Sequence, residues 1–250
     1  MRLSIIVCAY NERATILTVL ERIQAVDFGP EVETEIIVVD NCSTDGTRDV
    51  LRTLTAPRLK VIYQPSNMGK GMSIRTAVTH MSGDYGVIQD ADLEYHPDQL
   101  PGLLAEARAH QAAAVFGSRV LGGHAKYKYA HAYLGVRVMT SITNLLFGSQ
   151  LTDVATAIKM VRGDVFKSLN LVCTGFDLDF ELVDKILLAG HSIREVAIDY
   201  APRTYEEGKK IKISDGLRGL IVMLRDRLGL SPAVKRDQPT SKQVDMETGI

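Results

Sequence analysis

The sequence predicts an α/β fold built on a mostly parallel sheet, because apolar segments alternate with segments of helical periodicity. The apolar segments are nearly continuous, which is typical of strands that are covered by helices on both faces. With 250 residues, of which 46% are hydrophobic and 24% charged, the chain is long enough for a sizeable core. This length suits one large domain or two small ones.

Strands and helices alternate through the first half of the chain. The predicted strands are residues 3–8, 35–39, 59–63, 85–89 and 113–116. The predicted helices are residues 12–25, 45–55, 70–81 and 97–109. Pro97 followed by Asp98 marks the start of the last of these helices.

The pattern changes after about Gly122. We predict a helix of mixed polarity over 126–147, a second helix over 177–189 and a strand over 193–200. A final amphipathic helix over 215–230 places apolar residues on one face, namely Leu217, Leu220, Ile221, Leu224 and Leu228. Such a stripe is more often core than membrane contact, and an interfacial role stays open beside it. Residues 231–250 are polar and lack aromatic side chains, so we expect a disordered tail.

Charge and composition exclude several classes of protein. A net charge of −1 gives no overall attraction to nucleic acid, so no nucleic-acid partner is expected. Between Glu106 and Asp153 the chain has no acidic residue, and basic residues occur there at Arg108, Arg119, Lys126, Lys128 and Arg137. This segment is either a solvated basic face or an anion-binding surface.

The cysteines and the apolar runs indicate a cytoplasmic protein. Cys8, Cys42 and Cys173 are odd in number and widely spaced, which favours a reducing compartment over a disulfide framework or a zinc site. The first residues do not resemble a signal peptide. No uncharged apolar run reaches the roughly 18–20 residues that span a bilayer, so we expect a soluble or peripheral protein.

Polar clusters follow three of the predicted strands, at residues 9–12, 40–47 and 90–92. Ligands of open parallel sheets bind beyond the carboxyl ends of the strands. Asp90 and Asp92 can converge on one cation if the chain turns there, and carboxylate oxygens suit Mg²⁺ or Mn²⁺. Such a cation would neutralise a diphosphate leaving group. Asp45 is more simply a helix cap or turn residue.

The sequence lacks the motifs of several other classes of nucleotide-binding proteins and enzymes. Gly69-Lys70-Gly71 lacks the first glycine and the Ser/Thr of a Walker loop, and no G-x-G-x-x-G follows the first strand. The chain also lacks an H-E-x-x-H zinc motif and a G-x-S-x-G nucleophile elbow. A nucleotidyltransferase ranks lower because no N-terminal glycine-rich basic loop could clamp a triphosphate.

Four motifs in order, at residues 9–12, 38–47, 67–71 and 90–92, resemble those of family-2 inverting glycosyltransferases with the GT-A fold. Residues 116–119, 152–160 and 202–211 make the chain similar to the dolichyl-phosphate mannosyltransferase and polyprenyl-phosphate glycosyltransferase branch. The resemblance covers roughly residues 3–224. It implies one GT-A domain over 1–230, with a nucleotide-sugar-binding half over 1–120 and an acceptor-side half over 121–230.

The resemblance also implies site residues. The nucleotide-sugar site is expected to include Ala9, Tyr10, Glu12, Val39, Asp40, Asn41, Lys70, Asp90, Ala91 and Arg119. Asp90 and Asp92 should hold the cation, with Glu94 completing its shell where the family often has Gln. Arg203 and Lys209 join Arg119 as phosphate ligands, which suits the bidentate geometry of Arg and the point charge of Lys.

The chain departs from the family pattern at three places. Ala9 stands where Pro is usual, and Asn41 stands where a second Asp is usual. Asp179 and Glu181 occupy the places of a Gln and a Glu on a late helix. They are the candidate bases for an acceptor that must lose a proton, and otherwise they are acidic residues that complement a helix dipole.

These features predict a hexosyltransferase whose catalytic residues are Asp92, Arg203, Lys209, Asp179 and Glu181. The expected reaction is inverting transfer of mannose or glucose from a GDP- or UDP-hexose to a polyprenyl phosphate, dependent on Mg²⁺ or Mn²⁺. It would take place at the cytoplasmic membrane face, by peripheral attachment or through a membrane-protein partner. The alternatives are the same donor chemistry onto a sugar hydroxyl, and a nucleotide-sugar-binding protein without turnover.

Overall fold

A computed structural model describes residues 1–121, 129–204, 206, 210 and 213–232. The strands are β1 (Arg2–Ala9), β2 (Glu33–Asp40), β3 (Leu59–Tyr63), β4 (Tyr85–Asp90), β5 (Ala114–Ser118), β6 (Lys159–Arg162) and β7 (Ile193–Ala197). The helices are α1 (Ile16–Ala25), α2 (Thr47–Arg52), α3 (Lys70–His80), α4 (Leu100–Ala109), α5 (Ala130–Phe147), α6 (Gly163–Ser168), α7 (Leu178–Leu188) and α8 (Ile213–Arg227). A short 3₁₀ turn, Pro97–Gln99, leads into α4.

The strands form one seven-stranded sheet in the order β3-β2-β1-β4-β6-β5-β7. Neighbouring strands pair in parallel except around β6, which is antiparallel to both β4 and β5. The predicted α/β fold with a mostly parallel sheet is therefore confirmed. The carboxyl ends of β1, β2 and β4 meet at one edge, and this edge carries the site.

Helices cover both faces of the sheet, as the continuous apolar strands predict. Alternate residues of β1 enter different cores: Leu3, Ile5 and Val7 pack with α1 and α4, whereas Ile6 packs with α3 and α7. This division follows from the period of two along a strand. The sheet edge is thereby anchored from both sides.

Two elements escaped the sequence analysis. The strand β6 begins within the motif at 152–160, and the helix α6 follows β6 directly. β6 has four residues, and one of them is the fully buried Lys159, so neither its length nor its polarity signals a strand. The predicted helix over 12–25 also begins later, at Ile16, because Asn11 has a positive φ of 53° and residues 11–15 form a turn.

The apolar stripe of α8 faces outward, which argues against the core interpretation and leaves the interfacial interpretation open. Leu217, Ile221 and Leu228 are 62%, 60% and 71% exposed, while the opposite side buries Val222 and Met223. The buried side is set by a close approach to α7, because a Cβ at Gly219 would stand 2.4 Å from the Phe180 ring. Within the described part of the chain, no helix is both long enough and apolar enough to cross a bilayer.

The predicted boundaries of the acceptor-side elements shift by a few residues. The helix predicted over 126–147 is described from Ala130, and residues 122–128, with Lys126 and Lys128, lie outside the described residues. The strand predicted over 193–200 ends at Ala197. The tail predicted from residue 231 lies outside the described residues from residue 233 onward.

Candidate functional site

A pocket of about 310 Å³ with several charged side chains in its wall opens at the carboxyl ends of β1, β2 and β4. It brings together residues from all three polar clusters that the sequence singled out, as well as residues from α7 and the chain beyond β7. The predicted site residues in its wall are Ala9, Tyr10, Glu12, Asn41, Lys70, Asp90, Ala91, Asp92, Glu94, Arg119, Asp179 and Arg203. The location agrees with the general rule for ligand sites of open parallel sheets.

Hydrogen bonds tie the loop after β1 to the loop after β2. The Asn11 amide donates to Ser43 Oγ at 3.0 Å, and Asn11 Oδ1 accepts from the Thr44 amide at 2.8 Å. Asp45 accepts from the Arg13 and Thr47 amides and so acts as the turn residue that the sequence predicted. These bonds give the pocket rim a fixed backbone.

Asn41 faces the pocket, whereas Asp40 and Val39 do not. Asn41 Oδ1 accepts from the Met68 amide at 2.7 Å and its Nδ2 donates to Asn67, which links β2 to the loop before α3. The Asp40 carboxylate is fully buried and pairs with Arg48 at 2.7 Å. Val39 is part of the core. The donor contacts expected of the Asp40 and Val39 side chains therefore have no counterpart in the pocket wall.

Gly69 closes the same side of the pocket. Its φ is +89°, and a Cβ there would stand 2.2 Å from the carbonyl oxygen of Thr174. The loop before α3 thus lies directly against the loop before α7, and only glycine permits this contact. Lys70, the next residue, is thereby aimed at the carboxylates of the pocket.

Arg203 binds the acidic centre of the pocket. Its Nη2 lies 2.5 Å from Asp92 Oδ2, and its Nε lies 3.1 Å from Glu94 Oε1. Glu12 lies 3.5 Å from Nη1 and also pairs with Lys210 at 2.6 Å. Burial and, after it, the nearby Asp90 raise the pKa of Asp92 to about 7, although Arg203 opposes both effects. The site thus concentrates more negative charge than one guanidinium neutralises.

The carboxylates Asp90 and Asp92 fit a divalent cation by their chemistry. Both are hard oxygen ligands, and the pKa of Asp92 is raised by burial and by the charge of Asp90, two effects that a bound cation would oppose. Glu94 instead receives the Tyr200 hydroxyl at 2.6 Å and the Arg203 guanidinium. Across the described ranges, no three His, Cys, Asp or Glu side chains form a group that could hold a metal. The role of Glu94 in the cation shell stays a prediction.

Asp179 lies between two lysines at the start of α7. Its Oδ1 accepts from Lys159 Nζ at 2.9 Å, and its Oδ2 lies 3.9 Å from Lys70 Nζ. Burial opposes the charge of Asp179, but Lys159 and Lys70 outweigh burial and lower its pKa. A carboxylate held this way is a poor proton acceptor at neutral pH.

The structure places Glu181 outside the pocket wall. Its carboxylate is fully buried, accepts from the Val172 and Cys173 amides, and pairs with Lys185 and Arg225. These bonds fix the loop that precedes α7. Glu181 therefore has a structural environment and does not line the pocket, and its catalytic role stays a prediction.

Arg119 reaches the pocket, but Asp153 holds it. The guanidinium makes two bonds to the Asp153 carboxylate, at 2.7 and 2.8 Å, and lies over the Tyr200 ring. This pairing fixes its orientation while one side lines the pocket. Lys209, the other predicted phosphate ligand, lies outside the described residues.

Sequence reasoning missed several residues that shape the pocket: Asn67, Asp153, Lys159, Tyr200 and Lys210. Lys210 donates to the Tyr10 carbonyl at 2.5 Å and pairs with Glu12, whereas the resemblance implied a role only for its neighbour Lys209. The one signal for Lys159 was its place in the motif at 152–160. None existed for Tyr200, whose position follows from the sheet topology.

Comparison with known sequences identifies the family. The profile described as glycosyl transferase family 2 matches residues 4–169, which is well over half of the chain. This stretch contains the loops after β1, β2 and β4, and so includes the acidic side of the pocket.

Curated relatives carry related names. The low-salt glycan biosynthesis hexosyltransferase Agl6 of Haloferax volcanii is 26% identical over 224 residues, which cover 89% of this chain and 53% of that protein. The present chain thus spans about half of that relative. The undecaprenyl-phosphate mannosyltransferase of Micrococcus luteus is 28% identical over 240 residues, covering 92% of this chain and 95% of the relative.

Solved structures share the fold. Glucosyl-3-phosphoglycerate synthase from Mycobacterium tuberculosis, in complex with Mn²⁺, UDP and phosphoglyceric acid, aligns with a TM-score of 0.67 at 20% identity. The alignment covers 90% of this chain and 78% of that one. The mannosyltransferase PcManGT from Pyrobaculum calidifontis, in complex with GDP-Man and Mn²⁺, aligns with a TM-score of 0.58 at 22% identity, covering 81% and 58%. Together with the matched profile, these structures confirm the GT-A-like fold, and the chain belongs to glycosyl transferase family 2.

Proposed function

We propose that this protein transfers a hexose, mannose or glucose, with inversion, from a GDP- or UDP-sugar to a polyprenyl phosphate. The observation that carries the proposal is the environment of Asp179, the pocket residue placed to act as a base. It is held as a salt-bridged anion by Lys159 and Lys70. An acceptor that already carries negative charge, such as a phosphate, needs no base.

The donor side of the proposal rests on the carboxylates Asp90 and Asp92. We propose that they hold Mg²⁺ or Mn²⁺, which would stabilise the departing nucleotide diphosphate as a Lewis acid. Arg203 already lies against Asp92 at 2.5 Å, so its guanidinium stands beside the place where charge develops on the leaving group. Arg119 and Lys209 are proposed to orient the phosphates of donor and acceptor.

The nucleoside would occupy the rim formed by Ala9, Tyr10, Glu12 and Asn41. This rim is fixed by the hydrogen bonds between the loops after β1 and β2. A pocket wall made largely from loop backbone accommodates guanine and uracil alike, and one fold neighbour contains GDP-Man while another contains UDP. Both donors therefore belong in the test.

The acceptor side of the proposal rests on the apolar face of α8, defined by Leu217, Ile221, Leu224 and Leu228. Each of these side chains is exposed, and the basic Arg218 lies off the stripe. A helix of this kind is typical of proteins that lie in a membrane interface, where a lipid acceptor is found. We propose peripheral attachment at the cytoplasmic membrane face, directly or with a membrane-protein partner.

Both halves of the chain contribute to the pocket, which supports one functional domain over residues 1–230. Residues 1–120 supply the proposed cation ligands and the nucleoside rim. Residues 121–230 supply Asp179 and Arg203 to the same pocket and carry the α8 face. We propose that the donor binds mainly to the first half and the lipid to the second.

Incubation with radiolabelled donor separates the candidate functions. GDP-mannose, GDP-glucose, UDP-glucose and UDP-mannose are each supplied with Mn²⁺ and a polyprenyl phosphate. The proposal expects label that extracts into organic solvent and is released by mild acid. Water-soluble labelled product from a panel of sugar acceptors would instead indicate transfer to a hydroxyl. Donor binding by calorimetry without product from any acceptor would indicate a binding protein. A thermal-shift panel identifies the donor beforehand, because a ligand stabilises the state that it binds.

A further inference from the structure

Lys70 is placed between two carboxylates that belong to different parts of the site. Its Nζ lies 2.8 Å from Asp90 Oδ1 and 3.9 Å from Asp179 Oδ2. The side chain is only 14% exposed, so its ammonium has little access to bulk water. It therefore depends on these two carboxylates for charge compensation.

The pairing of Lys70 with Asp90 conflicts with a cation at the same carboxylate. An ammonium has an ordinary pKa near 10, so Lys70 stays charged at neutral pH. A divalent cation that binds Asp90 and Asp92 would meet this ammonium at hydrogen-bond distance from one of its ligands. Two cations at such short range repel strongly in a partly buried site. Either the cation binds weakly or Lys70 moves.

Asp179 offers Lys70 a second position. Lys159 donates to Asp179 Oδ1 at 2.9 Å and to the Thr156 carbonyl at 2.7 Å, and it is fully buried under the pocket floor. This holds the Asp179 carboxylate in place with Oδ2 directed at Lys70. A shift of the Lys70 ammonium by about an ångström would convert the 3.9 Å separation into a direct hydrogen bond.

We propose that Asp179 is a positioning residue: it receives the Lys70 ammonium when a divalent cation binds at Asp90 and Asp92. Lys159 keeps Asp179 charged and correctly oriented for this task. The inference rests on the proposed cation-dependent transfer and adds a role for Asp179 that requires neither proton abstraction nor cation binding by Asp179 itself. In this relay, the Lys70 ammonium moves from the Asp90 carboxylate to the Asp179 carboxylate when the cation binds.

A double-mutant cycle on Mn²⁺ binding tests the relay without measuring transfer. Mn²⁺ affinity is measured by electron paramagnetic resonance of the free ion, with Mn²⁺ alone and with GDP or UDP added. Asp179→Asn should weaken Mn²⁺ binding about tenfold, because the displaced ammonium loses its second partner. Lys70→Gln should strengthen binding severalfold, because the competitor of the cation is gone. In the Lys70→Gln background, Asp179→Asn should change the affinity by less than twofold.

The outcomes separate the possible roles of Asp179. Equal factors for Asp179→Asn in both backgrounds would overturn the relay and indicate a direct ligand or a general field effect. Lys167→Gln, an exposed lysine on α6, is the matched control and should leave Mn²⁺ affinity unchanged. Thermal unfolding checks that each variant is folded. If Asp179→Asn does not fold, a structure with Mn²⁺ and nucleotide decides: Lys70 Nζ must lie closer to Asp179 than to Asp90.

The same measurements keep the two proposals apart. If the wild-type protein binds no Mn²⁺ with either nucleotide, the proposed cation site of the transferase fails. If it binds Mn²⁺ and the cycle is additive, only the relay fails and the transferase proposal stands.

Discussion

The pocket at the carboxyl ends of β1, β2 and β4, here called the donor pocket after its proposed ligand, differs in chemical character from the outer face of α8. The pocket gathers buried and partly buried charges, among them Asp92, Arg203 and Lys159, and each is paired with an opposite charge. The α8 face carries exposed leucine and isoleucine side chains. Buried charge is costly unless it is used or compensated, and exposed apolar area favours contact with something apolar. The comparison indicates that donor binding would depend on electrostatic interactions, whereas contact with a lipid acceptor would depend on hydrophobic burial.

Removing one carboxylate of the proposed cation site should have the largest effect. We expect Asp92→Asn to lower the transfer rate about 1,000-fold, because both the cation and Arg203 lose a ligand. EDTA should abolish transfer by the wild-type protein, and added Mn²⁺ or Mg²⁺ should restore it. Initial rates with radiolabelled donor measure both effects. Circular dichroism checks that Asp92→Asn is folded. Transfer by the wild-type protein that persists in EDTA would refute the dependence on a cation.

Replacing Arg203 should have the next largest effect. Its guanidinium contacts Asp92, Glu94 and Glu12 at once, and a lysine cannot reproduce this fork. We expect Arg203→Lys to lower kcat about 100-fold, with a smaller effect on the KM for the donor. Arg218→Lys, at an exposed position on α8, is the matched control and should retain full activity. Equal activity of the two variants would show that Arg203 supplies only a charge.

The apolar face of α8 should matter only when the acceptor is in a membrane. We expect Leu217→Gln combined with Ile221→Gln to weaken binding to anionic vesicles and to lower transfer to a long-chain polyprenyl phosphate about tenfold. Transfer to a short, water-soluble prenyl phosphate should be unchanged, because the pocket is intact. Vesicle sedimentation and initial rates measure the two properties.

A matched control comes from the other side of the molecule. Leu17 is an exposed leucine on α1, and Leu17→Gln should affect neither vesicle binding nor transfer. An equal loss with short and long acceptors in the α8 variant would place the α8 residues in the catalytic site and contradict an interfacial role.

The sequence was informative at the donor pocket because its motifs are local. The order of the loops at 9–12, 40–47 and 90–92 was enough to place Glu12, Asn41, Asp90 and Asp92 in one pocket, since parallel strands end at one edge. That a residue belongs to a motif does not tell whether its side chain points into the pocket. Adjacent residues on β2 point to opposite sides, so Val39 enters the core while Asp40 pairs with Arg48.

At α8 the sequence left the direction of the apolar stripe open for a related reason. Helical periodicity identifies an apolar stripe, but it does not say whether the stripe faces inward. The close contact of Gly219 with Phe180 turns Val222 and Met223 into the core and leaves Leu217 outside. Gly219 has no side chain and therefore adds nothing to the hydrophobic periodicity, although its contact with Phe180 decides which face of α8 packs inward.

A buried carboxyl beneath α8 gives the smallest expected effect, on stability. Asp184 on α7 is fully buried, and neither of its carboxylate oxygens has a hydrogen-bond partner among the described residues. Burial and, after it, Asp226 on α8 and Glu181 raise its pKa to about 8, although Arg225 opposes them. The folded protein therefore retains a proton that the unfolded chain releases near pH 4. This contribution to stability is complete below about pH 4 and is lost as the pH rises to about 8.

Asp184→Asn removes this dependence, because an amide cannot ionise. We expect the stability of the variant relative to the wild type to rise as the pH rises from about 4 to about 8, and the difference to shrink again as the pH falls toward 4. Urea unfolding across this range measures the difference, and Asp49→Asn, at an exposed position on α2, should show no such trend. Parallel curves for Asp184→Asn and the wild type would mean that the carboxyl carries the same charge folded and unfolded. The carboxyl under α8 would then be compensated in place, as Lys159 and Lys70 compensate Asp179 in the pocket.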